Sequence, residues 1–110
     1  MTRPTPAERE AAAAELARVR DRIDTLDRRI VALLGERAEL GLAAGRVKAT
    51  AGRRAVRDSV REREVLLRVA MANPGPLPQA DLLSIYRRIL AVTRALESRD
   101  RTHGDDPADA

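Results

Sequence analysis

Residues 16–47 read LARVRDRIDTLDRRIVALLGERAELGLAAGRV, and the fold turns on the spacing within them. Stepping by three and four from Leu16 gives Val19, Ile23, Leu26, Ile30, Leu33, Arg37, Leu40, Ala44 and Val47, an unbroken heptad stripe. Pro6 near its start and Gly52 past its end bound a predicted helix over about 7–50, although Gly35, Gly41 and Gly45 weigh against the second half. At about 1.5 Å per residue such a helix is roughly 65 Å long, whereas a compact chain of this size has a radius of gyration of about 13 Å. Two shorter helices packed on one side leave much of the stripe in water. The expected assembly is therefore an intertwined homodimer in which the long helices pack together.

After a linker over Thr50 to Ala55, Asp58 or Ser59 can cap a second helix, which Asn73-Pro74-Gly75-Pro76 stops. A third helix is predicted from near Pro78 to about Ser98, with Leu82, Ile85, Ile89, Val92 and Leu96 facing inward. The expected architecture is all-α: a three-helix chain whose first helix is very long. Residues 1–6 read as a disordered N-terminus, 7–99 as the helical domain and 100–110 as a disordered acidic tail carrying Asp105, Asp106 and Asp109.

Composition narrows the function. The chain has 110 residues, enough for one small domain, and a net charge of +4. Its 21 basic residues include a single lysine, Lys48, and Tyr86 is the only aromatic. Acids interleave with the bases instead of leaving a basic stripe, and one aromatic serves base stacking poorly, so a small anion is a better partner than nucleic acid. With no cysteine, and with His103 alone in a polar stretch, the sequence offers no thiolate or metal site and no Ser-His-Asp triad; no cofactor is expected. No apolar run resembles a signal peptide or a membrane span, so the expectation is a cytoplasmic protein with no membrane partner.

Charged residues stand where a core should be. Arg37 occupies a heptad core position, and a buried guanidinium is costly unless an acceptor meets it: an anionic ligand, or an acid of the same chain such as Glu62. Lys48 lies about 20° around the helix from Arg37 and about 16 Å along it, within reach of one shared small ligand, although a solvated lysine at a helix C-terminus fits it as well. Arg20 is about 25 Å from Arg37 along the helix. In an antiparallel dimer with its axis near residue 31, however, it falls level with residue 42 of the other chain. Asp58, Arg61 and Glu62 share one face of helix 2, and Thr93 and Glu97 one face of helix 3; solvated surface positions explain these equally well.

Taken in order, Arg20-Asp-Arg-Ile-Asp-Thr-Leu-Asp27, Leu33-Leu-Gly-Glu-Arg37, Gly45-Arg-Val-Lys48, Val56-Arg-Asp58-Ser-Val-Arg61-Glu62-Arg-Glu and Thr93-Arg-Ala-Leu-Glu97 resemble the all-helical chorismate mutases, the AroQ class. The resemblance covers about residues 16–98. It implies a three-helix active site completed by the partner's long helix, and the Claisen rearrangement of chorismate to prephenate in aromatic amino acid biosynthesis or a related secondary pathway. By the same resemblance, Arg37 and Arg20 of the partner chain bind the two carboxylates of chorismate. Lys48 and Glu97 contact its ether oxygen as the catalytic pair. Asp58 and Glu62 lie near the ring hydroxyl, and Arg61 and Thr93 line or support the pocket.

Such a reaction needs no nucleophile, metal or cofactor; it needs the substrate folded and the developing charge met. The family often has Gln where this chain has Glu97. A carboxyl donates to an ether oxygen only when protonated, so activity is expected to fall as pH rises. One extra residue between Lys48 and Asp58, relative to some family members, is placed in the linker. Two alternatives share the fold: an isochorismate-pyruvate lyase and a 4-amino-4-deoxychorismate mutase. A third is a non-catalytic helical dimerisation or regulatory module. A complex with another shikimate-pathway enzyme is compatible with the sequence.

Overall fold

The computed structural model describes residues 2–53 and 56–104. Among these the chain is helical, in the order α1 (Pro6–Thr50), α2 (Ser59–Ala72) and α3 (Gln79–Gly104), with no strand. It divides into two compact units, residues 1–37 and 38–110, and α1 runs from the first into the second.

Helix α1 begins on a reciprocal cap. The Glu8 N–H donates to Thr5 Oγ1 at 3.1 Å, the Thr5 N–H donates to Glu8 Oε2 at 2.8 Å, and Pro6 fills the first helical position, where no N–H is needed. Thr5 and Pro6, expected in a disordered N-terminus, are thus the cap and first residue of the helix. In the first unit every described residue before Arg37 is exposed, and Arg37 is half-buried. The expected core stripe therefore lies open within the chain: Leu16, Val19, Ile23, Leu26, Ile30 and Leu33 keep 42–56% of their surface.

In the second unit α2 packs on α3. Helix α2 starts where the capping signal predicts, with Asp58 at its N-cap, and Asn73 closes its end. The turn to α3 is held by the Asn73 side chain, which donates to the Leu77 carbonyl at 3.0 Å and to Gln79 Oε1 at 2.8 Å. On α3 the covered face runs through Leu83, Tyr86, Leu90, Thr93 and Glu97, with Leu82, Ile89 and Leu96 half-buried beside it. Ile85 and Val92, expected inside, are 51% and 42% exposed, because the covered face is centred one step around the helix from them. Among the described residues only Leu90, Glu97 and Gly45 are buried.

Helix α3 also runs past its expected end at Ser98. Arg46 grips Asp100 with two hydrogen bonds of 3.1 and 3.0 Å, and Arg101 donates to the Gly45 carbonyl at 3.4 Å, tying the added turns to α1. Residues 100–104, expected in the acidic tail, are helical for that reason; the rest of that tail lies outside the described residues. No helix among the described residues is long and apolar enough to cross a membrane.

Candidate active site

The end of α1 sets the first functional side chain. Gly52 adopts φ +80°, its N–H donates to the Ala49 carbonyl at 3.0 Å, and the Arg53 N–H donates to the Lys48 carbonyl at 2.9 Å. This is the paired Schellman closure that a glycine just past a helix permits, and it fixes the last turn carrying Lys48. From there Lys48 Nζ donates to Glu97 Oε2 at 3.2 Å and to the Val56 carbonyl at 3.4 Å. The Lys48 and Glu97 side chains keep only 18% and 8% of their surface, so their charges are screened much less than those of a surface pair.

Two glycines allow α3 this close. A Cβ at position 41 would lie 2.6 Å from Thr93 Cγ2, and one at 45 would lie 3.1 Å from Glu97 Cγ and 3.2 Å from its Cδ. Gly41, Gly45 and Lys48 follow one another at i, i+4 and i+7, and Thr93 and Glu97 face them at i and i+4. The glycines that weigh against the helix in sequence are the surface on which the site's α3 residues rest; Gly35, with nothing near it, is not.

Helix α2 brings the acidic side. Asp58 Oδ1 accepts from the Arg61 N–H at 3.0 Å and Oδ2 from Arg53 at 3.2 Å. The Arg61 N–H, chiefly, holds the Asp58 carboxyl below its ordinary range; Arg53 and the charge of Lys48 lower it further, against a smaller opposing effect of burial. Glu62 is nearly covered, with 16% of its side chain exposed, and accepts from Arg94 Nη1 at 2.5 Å, with Arg57 Nε 3.9 Å away. The Arg61 side chain is exposed and turns to Glu64 at 3.7 Å, so its contribution to the cluster is the backbone N–H that holds Asp58. Thr93 is half-buried, and its hydroxyl donates to the Ile89 carbonyl at 2.9 Å.

Of the eight residues singled out in sequence, the second unit brings Lys48 and Glu97 into contact, places Thr93 one turn before Glu97 on α3, and sets Asp58, Arg61 and Glu62 at the start of α2. Arg20 and Arg37 belong to the first unit, where Arg20 is exposed and Arg37 half-buried. Sequence reasoning missed Arg94, whose one signal is its place between Thr93 and Glu97 in the mostly apolar stretch from Ile89 to Leu96. It also missed Gly41 and Gly45 as contact positions. Chemically, the second unit offers a shielded ammonium and carboxyl that one small polar group can bridge, with two further acids on the adjoining helix.

Residues 19–98 match the protein family described as chorismate mutase type II, in agreement with the segments quoted above. The chain is 38% identical over 78 residues to a bifunctional chorismate mutase/prephenate dehydratase of Neisseria gonorrhoeae, a match covering 71% of this chain and 21% of that protein. Proteins of the same description from Aquifex aeolicus and Stutzerimonas stutzeri are 35% and 37% identical over 89 and 90 residues, each match covering 77% of this chain and 24% of the relative. The chain thus spans less than a quarter of the length of these curated relatives.

Proposed function

Because the chain belongs to the type II chorismate mutase family, we propose that it catalyses the Claisen rearrangement of chorismate to prephenate. The ether C–O bond breaks as the new C–C bond forms, and no atom enters or leaves. The observation that carries this reading is the shielded pair of Lys48 and Glu97, 3.2 Å apart on α1 and α3. An ether oxygen that gains negative charge as its bond breaks is met by the Lys48 ammonium, and a protonated Glu97 donates to the same oxygen. Substrate takes the place of the direct contact between the two. Fixed donors aimed at a developing charge lower the barrier because they need no reorganisation during the reaction.

The remaining roles follow from the substrate's two carboxylates and ring hydroxyl. Arg37 and Arg20 of a second copy hold the carboxylates in the folded conformer, since a planar guanidinium meets a carboxylate with two parallel bonds. Glu62 accepts from the ring hydroxyl, Asp58 sets the start of α2 beside it, and Arg61 and Thr93 support the wall. The second copy is supported by the open apolar row from Leu16 to Leu33, a surface that a lone chain leaves in water.

The test is an assay of the purified chain with chorismate, isochorismate and 4-amino-4-deoxychorismate over a pH range. Prephenate from chorismate, lost in Lys48→Ala while the helical circular dichroism is kept, is the expected result. Salicylate from isochorismate or the amino analogue of prephenate points to the sister reactions, and no turnover of any substrate identifies a non-catalytic helical module.

A further inference from the structure

Beside Glu62, between α2 and α3, lies a cleft of about 480 Å³. Arg57, Arg63, Arg87 and Arg94 all line it, against Glu62 as the one acid and Leu66 as the one apolar side chain. Neither Lys48 nor Glu97 is among its walls. The charge within it is unbalanced in a specific way. Glu62 is already engaged by Arg94 at 2.5 Å and approached by Arg57 at 3.9 Å, so its negative charge is answered. Arg63 and Arg87 have no ion-pair or hydrogen-bond partner among the described residues. Four guanidiniums around one concavity repel one another, and a bound anion relieves that repulsion while satisfying the idle donors.

We propose that this cleft is a second anion site, in which Arg63 and Arg87 bind a compact di- or trianion through its carboxylate or phosphate oxygens. The volume suits a small organic anion better than a single halide. With Leu66 the one apolar side chain among four arginines, recognition there falls to charge, and the planar fork of arginine suits both oxygen chemistries. The site goes beyond the mutase reading and does not depend on it, meeting it at Glu62, which lines the cleft and is engaged there by Arg94.

The experiment is calorimetric titration of the full chain at low ionic strength with two probes, citrate for carboxylates and pyrophosphate for phosphates, repeated on R63A/R87A and on Lys48→Ala. Both arginines are exposed, so the double variant is expected to fold; a matching melting curve checks this, and R63Q/R87Q serves as the replacement if it does not. The expected result is saturable binding of at least one probe at one site per chain, weakened at least tenfold in the double variant and changed less than twofold in Lys48→Ala. The stronger probe names the ligand chemistry. Binding that is absent for both probes, unchanged in the double variant, or abolished by Lys48→Ala overturns the proposal. Because the titration reads no turnover, a failed chorismate assay leaves its outcome standing, and a failed titration leaves the assay's outcome standing.

Discussion

Lys48 and Glu97, 49 residues apart in the chain, meet at 3.2 Å with the carboxyl almost wholly covered. Removing the ammonium leaves a covered carboxyl that has lost its charged partner. Lys48→Ala is therefore expected to cost about 1–3 kcal/mol of stability and to lower kcat by about a hundredfold or more. Chemical denaturation and the chorismate assay check the two separately. Lys48→Arg keeps the charge but not the compact head, and is expected to lose most turnover; full activity in that variant would mean that the lone lysine has no special task.

Two substitutions test the other half of the pair. The amide of Glu97→Gln can donate to an ether oxygen and is expected to keep turnover, whereas Glu97→Ala cannot and is expected to lose about a hundredfold in kcat. Equal rates in the two variants would remove Glu97 as a donor.

Asp58 links the fold to pH. Its carboxyl titrates below the ordinary value of 3.8 because the Arg61 N–H, then Arg53 and Lys48, favour the ionised form. The stabilisation is therefore fully present above the unfolded-state value and is lost as pH falls through the lower folded-state value. Melting temperature is expected to drop with acidification in that window, and to drop less in Asp58→Asn, which keeps an N-cap acceptor without the charge. Asp58→Ala is expected to melt lower than either at neutral pH.

Gly41 and Gly35 make a matched pair of substitutions. Alanine at 41 drives its Cβ to 2.6 Å from Thr93 Cγ2, on a side chain held by its hydroxyl and stiff at χ1, whereas alanine at 35 meets nothing. Gly41→Ala is expected to destabilise by about 1–3 kcal/mol despite its better helix propensity, and Gly35→Ala to stabilise by up to about 1 kcal/mol. Urea denaturation of both variants decides it.

The open row on α1 predicts assembly. Ile23→Lys or Leu26→Lys places a charge in the middle of the apolar stripe, and is expected to halve the mass seen by light scattering and to abolish turnover together with it. An unchanged mass would show that the stripe is not the contact surface.

Much of this was readable from the chain because its signals are local. The ends of α1 and α2 are written in Pro6, Gly52, Asp58 and the Asn73 turn, each of which acts on neighbours a few residues away. The extension of α3 was not readable, since what holds it is Arg46 on Asp100 and Arg101 on the Gly45 carbonyl, pairs more than 50 residues apart with no periodic trace. For the same reason the Arg94 partner of Glu62, 32 residues along the chain, was invisible. Gly41 and Gly45 were misjudged because helix propensity counts only what a residue does to its own helix, not what its missing side chain lets another helix do.

That missing side chain also sets limits on redesign. Where Glu97 rests on Gly45, the wall contributed by α1 is bare backbone, already at its lowest relief. Every substitution at 45 adds bulk and none removes any, so mutational drift at this position shifts Glu97 in one direction only. A larger or differently shaped substrate has to be accommodated by changes on α2 and α3, and selection for altered specificity should leave its marks there while position 45 stays glycine.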